Sequence, residues 1–178
     1  MLRIILIVAA ALAVGVAGLV AYAATTQPDS FRVQRALTIN AAPEKLVGIL
    51  TDLRRGAEWS PYEKKDPAMK KTFSGPASGP GATLEWDGNS DVGAGSLKVA
   101  DVTPSKVTLD LAMTRPMTAN NVVEYTLTPQ GNATNMTWAL YGPMPLISKV
   151  MCVFMNFDKM LGDDMERGLN DLKTLAER

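Results

Sequence analysis

The sequence predicts an α+β domain behind an apolar leader, with a curved antiparallel sheet of about seven strands covered by a long C-terminal helix. Three observations carry that expectation. No charge falls between Ile4 and Ala24. Between Lys70 and Tyr141 the chain alternates short strand-like segments with turn residues. From Leu146 to Ala176 apolar residues recur every three or four positions, the period of an amphipathic helix.

Taken in order, the Ile4 to Ala24 run as a helix, at about 1.5 Å per residue, is long enough to cross a hydrocarbon layer of roughly 30 Å. Arg3 is the only charge before it, which biases that end to the cytoplasmic side and the domain to the extracytoplasmic side. Ala21-Tyr22-Ala23 fits a signal-cleavage pattern, so the alternative is a secreted or periplasmic domain released by cleavage. The expected organisation is a transmembrane anchor over residues 1–24, a polar linker over 25–30 and one domain over 31–178.

Phe31, Val33, Leu37 and Ile39 alternate as in a strand with one buried face. Pro43 and Glu44 then open a helix, since proline suits the first turn and an acid there meets the positive end of the helix dipole. A second short helical piece is expected from Leu53 to about Glu58. Strands follow at Lys70 to Ser74, Ala82 to Gly88, Gly95 to Val102, Lys106 to Met113, Asn121 to Thr128 and Ala133 to Tyr141. Met136, Trp138 and Leu140 alternate with Thr137, Ala139 and Tyr141, which gives the sheet one dry and one wet face. One continuous terminal helix is expected to cover the dry face. Gly162 and Gly168 inside it each cost about 1 kcal/mol relative to alanine. Close approach to the sheet or to a bound molecule would offset that cost; the plain alternative is a bend.

Composition removes several functions. Eighteen basic and eighteen acidic residues balance, so nothing draws the chain to nucleic acid. The chain has no histidine, which removes the commonest metal ligand and general base. Cys152, the single cysteine, can form no intrachain disulfide and reads as a buried, inert thiol. Gly93-Ala94-Gly95 precedes a strand, and the run from Gly75 to Gly81 lacks the ending of a phosphate loop. No cofactor and no metal are expected. Asp163, Asp164 and Glu166 read as a solvated helix face.

The stretch Trp59-Ser60-Pro61-Tyr62-Glu63-Lys64-Lys65-Asp66-Pro67 resembles the W-S-P-W-E-K-x-D-P signature of the polyketide cyclase/dehydrase-like branch of the START-like (SRPBCC) superfamily. Gly75-Pro76, Gly79, Gly81, Trp86, Gly88-Asn89 and the ending from Asp158 to Lys173 fit the same branch. Tyr62 replaces the second tryptophan of the signature, and Met165 stands where an aromatic is common. The resemblance implies the helix-grip (START-like, Bet v 1-like) fold, with a ligand held between the sheet and the terminal helix.

The residues then expected around a ligand are Trp59, Tyr62, Trp86, Met113, Arg115, Trp138, Tyr141, Met151, Phe154 and Met155. The aromatics offer amphipathic surfaces, and flexible thioethers suit a pocket that adapts to apolar guests. Packing of an irregular core explains the same methionines without a ligand. For catalysis the candidates are Glu63, Tyr62 and Arg115: a carboxylate or phenol to move a proton, and a guanidinium to steady an oxyanion. Solvated loop charges and a surface ion pair are the plain readings of Glu63 and Arg115. Three functions stay open: a membrane-anchored binding domain for a lipid or other hydrophobic small molecule, a cyclase/dehydrase-type enzyme, and an envelope protein-interaction module with a solid interior.

Overall fold

Seven strands form one curved sheet in the order β1-β7-β6-β5-β4-β3-β2. They are β1 (Ser30–Ile39), β2 (Lys70–Ser74), β3 (Thr83–Asp87), β4 (Ala94–Thr103), β5 (Lys106–Arg115), β6 (Ala119–Gln130) and β7 (Ala133–Pro143). From β2 to β7 each strand pairs antiparallel with the next, because the connections are too short for a crossover. Gly131 closes the β6–β7 turn with φ +60, a backbone that side-chain-bearing residues rarely adopt. Every predicted strand is present, shifted at most two residues at either end.

The computed structural model describes all residues, Met1–Arg178, and divides into two units: Met1–Phe31 with Pro143–Phe157, and Arg32–Gly142 with Asp158–Arg178. In the first unit, α1 (Leu2–Thr26) is one apolar helix, long enough to cross a membrane and exposed along nearly all its length. It runs two residues beyond the expected anchor, because the Thr25 and Thr26 hydroxyls donate to carbonyls one turn back instead of leaving the helix. α5 (Leu146–Phe154) packs on α1.

The second unit contains α2 (Pro43–Thr51), a 3₁₀ turn at Leu53–Arg55, α3 (Gly56–Trp59), α4 (Pro61–Lys65) and, from Asp158 on, α6 (Phe157–Ala176). The expected single terminal helix is thus two. Met155 ends α5 in an extended conformation, φ −126 and ψ 134, and the helix restarts at Phe157 with Asp158 in its first turn. Periodicity could not show this break, since apolar spacing continues across it. The short piece expected from Leu53 to Glu58 is resolved into the 3₁₀ turn and α3. α4 was not expected, although Pro61 at its first position is the sequence signal for it.

α6 covers the dry face, burying Met165, Leu169 and Leu172. Both glycines of α6 mark close approaches. A Cβ on Gly168 would lie 2.7 Å from the Trp138 ring and 2.9 Å from Pro61 Cδ; one on Gly162 would meet the Arg35 guanidinium. So close approach, not a bend, accounts for them. Arg35 lies on the same strand face as Val33 and Leu37, and crosses Gly162 to bind Asp158 (3.0 Å) and Glu166 (2.9 Å).

Candidate functional site

Cross-strand register fixes which side chains share the covered face. Phe73, Leu84, Leu97, Leu111 and Asn121 form one row across β2 to β6. Lys71, Trp86, Gly95, Met113 and Ala119 form the row beyond it, and Val99, Leu109, Val123 and Leu140 the row before it. Val107, Tyr125 and Trp138 lie one row further in.

These rows differ in burial. The inner ones, with Val99, Val107, Leu109, Val123, Tyr125 and Trp138, are buried. Trp59 reaches them from α3 and makes edge contacts with Tyr125 and Trp138 at centroid distances of 6.2 and 5.6 Å. With Met165, Leu169 and Leu172 of α6 buried as well, this end is packed solid. Toward the other end Leu84, Trp86, Leu97, Leu111 and Met113 are only half-buried. The covered face is therefore closed at the α6 end and partly open at the other.

Two buried polar atoms in the same sheet lack a hydrogen-bond partner: Asn121 Oδ1 in the open rows and Trp138 Nε1 in the closed ones. Leaving such an atom unpaired costs about 1–3 kcal/mol, so each marks a place where a partner would be gained. Gly142 makes room for the first, since a Cβ there would sit 2.1 Å from Asn121 Oδ1. Trp138 was among the residues expected around a ligand, whereas Asn121 shared a strand pattern with its neighbours and did not stand out in the sequence.

The Trp59-to-Pro67 segment is a clasp in which successive side chains grip different elements. Trp59 enters the core; Glu63 binds Lys71 of β2 (2.5 Å), Lys64 binds Asp171 (2.6 Å), and Lys65 binds Asp164 (2.6 Å). Asp66 accepts the Asn89 amide at 2.8 Å. Asp164 is 3% exposed and also pairs with Arg167. It is thus no part of a solvated face, because α4 brings Lys65 down onto it. Beside this clasp, Pro61, Lys64, Lys65, Arg167, Asn170 and Asp171 line an open cleft of about 390 Å³.

The predicted site residues separate into four groups. Trp59 and Trp138 are in the closed aromatic cluster. Trp86 and Met113 face the open rows, with the Trp86 ring lying over Gly95 and its Nε1 donating to Val92 O at 3.2 Å. Tyr141 is on the opposite face of the sheet from Trp138 and Leu140, against Arg32 and Glu124, as the alternation along β7 requires. Met151, Phe154 and Met155 belong to the other unit, at α5.

The three catalytic candidates are also apart in chemistry. Glu63 is engaged by Lys71 beside Trp86. Arg115 is exposed and holds Asp87 and the Gly88 carbonyl. The Tyr62 phenol is pushed up by burial and then by the Asp164 charge, so at neutral pH it is a proton donor and not a base. Burial pushes the Tyr125 phenol up likewise, and the Cys152 thiol.

A curved antiparallel sheet gripping a C-terminal helix over an apolar face is the helix-grip fold, shared by Bet v 1-like proteins. Residues 30–177 match the family described as polyketide cyclase / dehydrase and lipid transport, and the chain belongs to it. Among solved structures, it is similar to protein CV1439 from Chromobacterium violaceum, with TM-score 0.59, 13% identity, 85% of this chain and 99% of that one covered. Ginseng major latex-like protein 151 from Panax ginseng gives TM-score 0.56 and 11% identity over 85% and 100%. The Aha1 dimer from Colwellia psychrerythraea gives 0.51 and 19% over 83% and 94%. At these identities the likeness is one of fold. No curated protein matches the chain.

Proposed function

We propose that this protein is a membrane-anchored binding domain for a lipid or other hydrophobic small molecule, which lies on the open rows of the covered face. The observation that carries the reading is the gradient along that face, from solid at Tyr125 and Trp138 to half-open at Leu97, Leu111 and Met113, with Asn121 Oδ1 unpaired in the open part. An apolar guest there gains about 25 cal/mol per Å² buried, and a hydroxyl or other donor on it satisfies Asn121. The family's description names lipid transport, and α1 is a candidate membrane anchor or signal sequence. The positive-inside bias of Arg3 supports an orientation with the α1 N-terminus on the cytoplasmic side and the binding domain on the other.

Native mass spectrometry of the full-length protein, followed by titration with dansylated C12 to C18 fatty acids, tests the reading. Saturable uptake is expected. Leu111→Trp should lower it at least tenfold by filling the open rows, and Asn121→Leu roughly five- to tenfold, the worth of one hydrogen bond. No saturable uptake, or uptake indifferent to Leu111→Trp, overturns it.

A further inference from the structure

Outside α1, the large apolar side chains exposed to solvent are Leu146, Ile147, Phe154, Met155 and Met160. Four of them belong to α5 and its C-terminal cap. This helix is built the wrong way round for water. At about 100° per residue, Ile147, Met151 and Phe154 fall on one face and Lys149 on the opposite one. Ile147 is 56% exposed and Phe154 72%, whereas Lys149, the one charged residue of α5, is 8% exposed. Its ammonium binds Asp29 at 2.6 Å, just beyond the end of α1, and that hydrogen bond, followed by the Lys149 charge, holds the Asp29 carboxyl below the usual carboxylate range. Met144 N donates to Asp29 O at 2.8 Å, so the same residue also ties down the chain entering α5. A helix that turns its one charged side chain away from the face carrying its exposed apolar residues, and pairs it with an exposed carboxylate at the end of α1, follows the pattern of segments that meet lipid on one side.

The element under α5 identifies the surroundings. α5 packs on α1, whose last turns are where that helix loses exposure, at Leu19, Val20 and Ala23. The exposed faces of both helices are apolar, with Tyr22 on the exposed side of α1 one residue before Ala23, a residue type enriched at membrane interfaces.

We propose that α5 is a second membrane-contacting element, lying in the lipid interface beside the C-terminal end of α1 with Leu146, Ile147, Phe154 and Met155 in the acyl region. It rests on the reading of α1 as a membrane helix. An interfacial helix of this kind is held by apolar burial, and with Lys149 neutralised it has no requirement for anionic lipid.

The test is photolabelling of the full-length protein in phosphatidylcholine vesicles with a diazirine in the acyl chain, read by peptide mass spectrometry. Label is expected on residues 146–155 as well as on α1, unchanged when a fifth of the lipid is phosphatidylglycerol. Ile147→Glu with Phe154→Glu should cut the label on α5 at least fivefold and leave α1 labelled as before; both residues are exposed, so the fold is retained. Label on α1 alone overturns the proposal while sparing the anchor, and a second copy covering α5 would give that result. Absence of label from both helices overturns the anchor with it, and label on α5 only with phosphatidylglycerol overturns the apolar basis.

Discussion

α5 and α6 have the same apolar periodicity, yet their surfaces are reversed. α6 buries Met165, Leu169 and Leu172 and turns most of its charges outward, as a helix between a core and water does. α5 buries Lys149 and exposes Ile147 and Phe154. The difference teaches that hydrophobic spacing locates a helix and its stripes but leaves open which stripe faces the protein. That choice depends on what each side meets. α6 meets Trp138, Pro61 and Arg35, and α5 meets the end of an apolar α1.

The largest expected effect that tests this contrast comes from truncation. Leu172→Ala removes a fully buried side chain from α6 and should cost about 2–5 kcal/mol. Phe154→Ala in α5 should change stability by less than roughly 0.5 kcal/mol, because the ring is already exposed. Urea denaturation of the full-length protein in detergent reads both; equal losses would abolish the distinction between the helices.

A smaller effect is expected from the approach of α6 to the sheet. Gly168→Val drives a side chain into the Trp138 indole and the Pro61 ring, neither of which can swing aside, and should cost about 1–3 kcal/mol. Gly162→Ala should cost less, since the obstacle is the far end of the Arg35 side chain. The reverse order, in the same denaturation measurement, would place the tighter contact at Arg35.

The smallest is a pH effect on the closed end of the covered face. The Tyr125 phenol is held above its ordinary value of 10.0 by burial. The stability this contributes is complete below that value, and is lost as pH rises from it toward the folded-state value, because the unfolded chain gives up the proton first. The thermal midpoint should therefore fall between about pH 9 and about pH 11, and Tyr125→Phe should lessen the fall. An unchanged slope in the variant would show that Tyr125 is reached by water.

The Trp59-to-Pro67 signature shows how far the site was legible. As sequence it indicated the family and put Trp59 beside a ligand; in the structure Trp59 enters the core. It gave no partner for Glu63, Lys65 or Asp66, because their partners Lys71, Asp164 and Asn89 lie on β2, on α6 and just past β3. Tyr141 was legible in a different way. Its alternation with Trp138 along β7 put it on the opposite face, so the two could not line one surface.

By itself the sequence determined the strands, the turns between them, the apolar leader and the family, since each depends on local periodicity, turn chemistry or a contiguous motif. Only the tertiary structure decided that Gly162 and Gly168 admit Arg35 and Trp138, that Asp164 is buried, and that the terminal helix breaks at Met155. Only it left one end of the covered face open with Asn121 Oδ1 unpaired. The physical reason is common to all four. Burial and pairing are set by which distant elements come into contact, and local spacing does not encode that contact.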